Sequence, residues 1–134
     1  MLPSMIDHIG VHVSDLGASR AFYEAALGAL GYEVLFEGGD EIGMGGPIPG
    51  LPGKVPDLWL IGGGRTAPVH VALWADDPGR VDAFHERGLQ AGGTDNGAPG
   101  LRPAYGPGYY AAFVLDPDGN NIEAVCHLRG DDAD

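Results

Sequence analysis

The sequence predicts an α+β fold in which one strand–helix–strand module occurs twice in tandem within a single domain, residues 1–134. Three observations carry this. Residues 8–31 align without gaps on residues 70–93, and nine of these 24 positions are identical, among them His8/His70, Asp15/Asp77, Phe22/Phe84 and Gly31/Gly93. In both copies a short β-type alternation passes through an acidic pair into a helical pattern that stops at glycine. Glycine (24) and proline (11) supply about a quarter of the 134 residues, near the edge of low complexity, yet 44% of residues are hydrophobic. That excess therefore belongs to turns and loops of a packed domain. It also argues against a helical bundle, because an interior glycine costs a helix about 1 kcal/mol relative to alanine.

The first module covers about 5–62 and the second about 68–128; Met1–Ser4 and the acidic tail 129–134 add nothing to the fold. His8–Val13 is a strand with Ile9, Val11 and Val13 on one face and His8, Gly10 and His12 on the other. His70–Ala75 repeats it, with His70, Ala72 and Trp74 sharing a face. Ser14-Asp15 and Asp76-Asp77 supply capping oxygens for helices over 17–29 and 78–90. The first helix turns Ala18, Ala21, Phe22, Ala25 and Leu27 towards a core, and the second turns Val81, Phe84 and Gly88. Gly31 and Gly92-Gly93 end them in the left-handed conformation. Strands follow at 32–37 and 56–61, and again at 109–115 and 121–127. Between them lie Gly/Pro-rich loops, 38–53 and 92–108, and Gly62–Gly64 links the modules. Asp116-Pro117-Asp118-Gly119-Asn120 is a tight turn between two antiparallel strands.

Charge limits the partners. Seven basic against nineteen acidic residues give a net charge of −12, which repels nucleic acid and anionic membrane surfaces. The basic residues are scattered singly, so no phosphate-tracking stripe exists. Cys126 is the only cysteine, which excludes an internal disulfide framework and a multi-cysteine zinc site. With no apolar run near the roughly 20 residues that span a bilayer and no signal-peptide pattern, the expectation is a cytoplasmic protein.

His8 and His70 hold equivalent places in the two copies. Glu123 sits inside an apolar strand, where a carboxylate is costly to bury unless paired or bound to metal. If the copies are related by a pseudo-twofold axis, the three side chains converge on a facial metal site with open positions. With no thiolate in the pattern, the ion would be Fe, Mn, Ni, Co or Zn. The alternative is two unrelated core or rim histidines and a surface glutamate.

The duplicated module, His8 in Ile6–Gly10, His70 in Val69–Ala72 and the closing block Asp116–Glu123 resemble the vicinal oxygen chelate superfamily, which includes glyoxalases, extradiol dioxygenases and bleomycin resistance proteins. The similarity runs over residues 5–127. It implies paired βαβββ modules whose curved mixed sheets surround a divalent metal held by His8, His70 and Glu123. It also implies a homodimer and a small oxygen-bearing substrate, chelated through two oxygens, with its oxyanion or enolate stabilised by the ion. The reaction would be of lyase or isomerase type, or a dioxygenation if the metal is iron. A metal-free binding protein of the bleomycin-resistance type is the other implied function. One departure stands out: the strand equivalent to that of Glu123 is Asp57-Leu58-Trp59-Leu60-Ile61, which offers no fourth ligand at positions 58–61.

Further candidates surround this set. His12 lies about 13 Å beyond His8 on the same strand face at about 3.3 Å per residue, too far to share its ion but able to line a pocket. Tyr105, Tyr109 and Tyr110 precede the metal-bearing hairpin, and a phenol there can bind a substrate oxygen or move a proton. Tyr109 and Tyr110 face opposite sides, so one of them at most joins the pocket readily; Tyr105, Tyr110 and His12 are the catalytic candidates. Trp59, Trp74 and Arg102 are the candidate substrate contacts.

Overall fold

The computed structural model describes residues 6–47, 52–64 and 66–129. The start of the chain, part of the 38–53 stretch, Arg65 and the tail from Gly130 onward lie outside the described residues. The order is β1 (Ile9–His12), α1 (Leu16–Gly28), β2 (Glu33–Gly38), β3 (Glu41–Pro47) and β4 (Lys54–Ile61), followed by β5 (His70–Trp74), α2 (Pro78–Gln90), β6 (Thr94–Leu101), β7 (Tyr109–Leu115) and β8 (Asn121–His127). Each half is thus βαβββ. The halves form two four-stranded mixed sheets, ordered β1-β4-β3-β2 and β5-β8-β7-β6, with β1–β4 and β5–β8 parallel and the other pairs antiparallel.

Both helices start as their sequence requires: the Asp15 and Asp77 carboxylates accept from the N–H groups of Ala18 and Arg80. Gly31 and Gly92 follow them with φ of 93° and 105°. In α2 the buried residues are Val81, Phe84 and Gly88, as the periodicity predicts. In α1 the buried set is Ser19, Phe22, Tyr23, Ala26 and Leu27, so the face is turned about one residue from the predicted one. Tyr23 is the reason. Its ring fills the core beside Phe22, and its hydroxyl finds a carboxylate partner there. The two helices pack together, Gly88 lying against Phe22 and Ala26, so one apolar core draws on both modules.

The two Gly/Pro-rich stretches are not loops throughout. Each contains a strand, β3 and β6, that composition hides. In β3 glycine is a packing requirement, since a Cβ on Gly45 would collide with the Val55 carbonyl and one on Gly43 would meet the Trp59 ring at 2.9 Å. β6 is an edge strand with two register shifts, which is where Pro99 and Gly97 are tolerated.

The turn 116–120 ties the modules together. Asp116, 4% exposed, accepts the Tyr23 hydroxyl of α1 at 2.6 Å, the N–H groups of Asp118 and Asn120 at 2.9 and 2.8 Å, and Asn120 Nδ2 at 2.8 Å. Asp118 accepts from the Ser14 N–H and hydroxyl at the end of β1. Asn120 Oδ1 accepts the Val69 N–H at 2.9 Å, and Asn121 N–H donates to the Val69 carbonyl at 2.9 Å, which docks the start of β5 on the same turn.

A second carboxylate is less well served. Asp57 Oδ2 accepts the Tyr32 hydroxyl at 3.0 Å, but Oδ1 is shut off from water without a hydrogen-bond partner. Burial pushes the Asp57 carboxyl up; the Tyr32 bond works in the opposite direction, and nearby Asp7 adds to the rise.

Asp116→Ala strands one hydroxyl, two backbone donors and the Asn120 amide, and should lower stability in urea by about 3 kcal/mol or more. Tyr23→Phe, which leaves Asp116 its other donors, should cost about 1–2 kcal/mol. For Asp57 the folded carboxyl binds its proton more tightly than the unfolded one, so stability is favoured at low pH and lost as pH rises through the folded value. Asp57→Asn should therefore raise Tm at pH 7, the gain fading towards pH 3 in melts followed by circular dichroism. A pH-independent gain, or a loss at pH 7, would contradict this.

Candidate functional site

The outer face of the second sheet is built by alternation. Ile122, Ala124 and Cys126 of β8 point into the core, which turns Asn121, Glu123, Val125 and His127 the other way. Parallel pairing sets Ala72 opposite Glu123 and His70 opposite Asn121. His70 thus reaches Glu123, its Nε2 standing 2.9 Å from Glu123 Oε1. Tyr109, on β7, donates its hydroxyl to Glu123 Oε2. Glu123 is 2% exposed, whereas the His70 side chain is 53% exposed. A buried carboxylate is therefore held between a phenol and an open imidazole, both of its oxygens engaged. Burial and the Glu123 bond push the Tyr109 phenol up to about 12, so it is a proton donor at neutral pH.

His8 is not part of this cluster within one chain. It precedes β1, exposed, with Nδ1 2.7 Å from Asp7 Oδ1. The docking of the turn explains the separation. Ser14, at the far end of β1, and Val69, beside His70, both bond to the 116–120 turn. His8 lies six residues before Ser14, or about 20 Å along an extended chain. The two histidines accordingly line one cleft, of about 590 Å³, at its opposite ends. That cleft runs between the β1 and β5 edges and also takes in Tyr32, Asp57 and Trp74.

The other sequence candidates fall on several surfaces. His12 is exposed at the end of β1 away from His8. Tyr110 faces α2, where its hydroxyl donates to Asp82 Oδ1 at 2.6 Å. The phenol at Glu123 is therefore Tyr109, and the alternation rule that left room for one of the pair on this face was the signal. Tyr105 packs edge-on against Tyr109, with ring centroids 5.5 Å apart. Trp74 stacks on His127 beside the pair, but Trp59 lies on the other sheet against Phe36. Arg102 lies over Phe113, 5.6 Å from the ring centroid, and donates to the Ala98 carbonyl.

The donor set can be compared with a divalent ion. An imidazole nitrogen and a carboxylate oxygen bound side by side at about 2.1 Å would stand about 3 Å apart, close to the 2.9 Å seen between His70 and Glu123. Among the described residues, however, no three His, Cys, Asp or Glu side chains lie together as a metal-holding group. Among the described residues of one chain, His70 and Glu123 are thus two donors at a fitting spacing, with no third donor beside them.

A family model for the Glyoxalase/Bleomycin resistance protein/Dioxygenase superfamily matches residues 5–124. Among solved structures, a glyoxalase/bleomycin resistance protein from Albidiferax ferrireducens is 31% identical with a TM-score of 0.75, the match covering 93% of this chain and all of that one. A lactoylglutathione lyase from Agrobacterium tumefaciens is 21% identical with a TM-score of 0.64, over 92% of this chain and 94% of the other. A glyoxalase I variant from Zea mays is 24% identical with a TM-score of 0.64; 90% of this chain matches 46% of that longer one. No curated protein matches. With a repeated βαβββ module and a superfamily match over nearly its whole length, the chain belongs to the glyoxalase/bleomycin resistance protein/dioxygenase superfamily.

Proposed function

We propose that the protein is a metal-dependent enzyme acting on a small oxygen-bearing molecule, with His70, Glu123 and His8 as the metal ligands. The observation that carries this reading is the 2.9 Å approach of His70 Nε2 to the buried Glu123 carboxylate, on an exposed sheet face. His8 stands at the far end of the cleft in its own chain, so the third ligand comes from a second copy in a homodimer. Unpaired β1 and β5 edges suit such an association, since free strand edges favour further pairing. A divalent Fe, Mn, Ni, Co or Zn ion held there supplies Lewis-acid stabilisation of an oxyanion or enolate. The reaction is of lyase or isomerase type, or a dioxygenation with iron.

The chain's own residues then have definite tasks. Tyr109 keeps its proton at neutral pH and sits within hydrogen-bond reach of Glu123, so it can orient that carboxylate or hand a proton to a substrate oxygen. Arg102, already engaged with Ala98 and Phe113, gives an anionic substrate little purchase, and the −12 charge opposes its approach. A cytoplasmic setting fits the lone, buried Cys126.

One observation favours a second reading, a metal-free protein that sequesters a drug or metabolite. Both Glu123 oxygens are satisfied within the chain, by His70 and Tyr109, so burial of this carboxylate does not by itself demand an ion. Calorimetric titration of chelator-treated protein with Co, Ni, Zn, Mn and Fe(II) separates the two. The enzyme reading expects one ion per chain and a loss of affinity of about 100-fold or more in His70→Ala and Glu123→Gln. His8→Ala should likewise weaken binding without lowering Tm. Absence of stoichiometric binding by any of the five ions would leave the sequestering role.

A further inference from the structure

The second sheet carries a feature that the metal reading does not use. Four rings form an unbroken row across its outer face. Trp74 on β5 stacks on His127 of β8 with centroids 5.2 Å apart and planes 25° apart; His127 meets Tyr109 of β7 edge-on at 5.3 Å; and Tyr109 meets Tyr105 edge-on at 5.5 Å. The row is not core. Trp74 is 60% and Tyr105 65% exposed, and His127 is exposed as well. Rings held at these offsets present a surface on which another flat π system gains dispersion and quadrupole contacts that a saturated ring of equal bulk does not.

We infer that this row is a binding shelf for a planar aromatic ligand, with Trp74 and His127 as its specificity-determining residues. Tyr109 belongs both to the row and to the Glu123 cluster. A ring stacked on the exposed Trp74 indole lies beside His127 and next to the Tyr109–Glu123–His70 cluster. The electrostatics select a neutral ring bearing hydroxyl or carbonyl oxygens, because the neighbouring carboxylate and the chain's −12 charge disfavour an anion. This inference rests on the reading that the Glu123 face receives the ligand; it does not depend on the metal.

The test compares 1-naphthol with its saturated counterpart decahydro-1-naphthol on the full chain, once with chelator and once with cobalt. Binding is followed by titration calorimetry in every variant, and in the wild type the contact is located through the indole N–H resonance that Trp74→Phe removes. The expectation is at least about ten-fold tighter binding of 1-naphthol, with or without metal. Trp74→Ala and His127→Ala should each weaken naphthol by about ten-fold and leave decahydronaphthol unchanged, and Trp74→Phe should recover most of the affinity. Equal affinity for the two probes, or naphthol binding indifferent to Trp74→Ala, overturns the shelf. So does a Trp74→Ala variant that dissociates a dimer in sedimentation while naphthol never binds, since the row would then be a contact between copies. Failure to bind cobalt, with the naphthol preference intact, would count against the metal reading alone.

Discussion

The Asp116 carboxylate holds the arrangement of the two modules in place. It is buried and surrounded by four donors, one of them the hydroxyl of a tyrosine in the other module's helix. Removing such a group from water is tolerable only when the lone pairs are met. Here they are met by the backbone of the turn that leads into β8 and by Tyr23. The adjacent Asp118 clamps the end of β1 and Asn120 clamps the start of β5. Three strands and a helix thereby share one polar hub, and the shared apolar core of α1 and α2 packs behind it.

The candidate site takes its order from that hub. β5 and β8 leave the turn side by side, which sets His70 and Glu123 within reach of each other. β1 arrives at the same turn by its opposite end, which carries His8 away. Two histidines equivalent in sequence therefore occupy opposite ends of a single cleft. A pseudo-symmetric chain can unite such positions by pairing with a second copy, where one subunit's β1 meets the other's β5.

The repeat made much of this legible in the sequence. Strand, capped helix and glycine stop follow from local chemistry at Asp15, Asp77, Gly31 and Gly92, and local chemistry survives folding. β3 and β6 were invisible because the glycines of Glu41–Pro47 answer to the neighbouring strand's backbone and the Trp59 ring, contacts that no periodicity encodes. The α1 face shifted because Tyr23, polar at its tip, is buried only by virtue of a partner 93 residues away. Glu123 and His70 could be paired by strand register, and alternation left one tyrosine for the same face. Which tyrosine it was depended on the β7–β8 register, and the separation of His8 depended on how whole modules dock; neither is written in a single module.

A metal site shared between two copies, as proposed for His70, Glu123 and His8, is open to test by mixing two variants. His8→Ala and His70→Ala chains are unfolded together, refolded as a mixture, and titrated with cobalt while the visible absorption is followed. If the site is shared, neither variant alone binds tightly, but the half of all dimers that pair one variant with the other each contain one intact site, restoring about a quarter of the wild-type sites. If His8 and His70 serve the same site within one chain, no chain in the mixture carries both, and no tight cobalt binding returns.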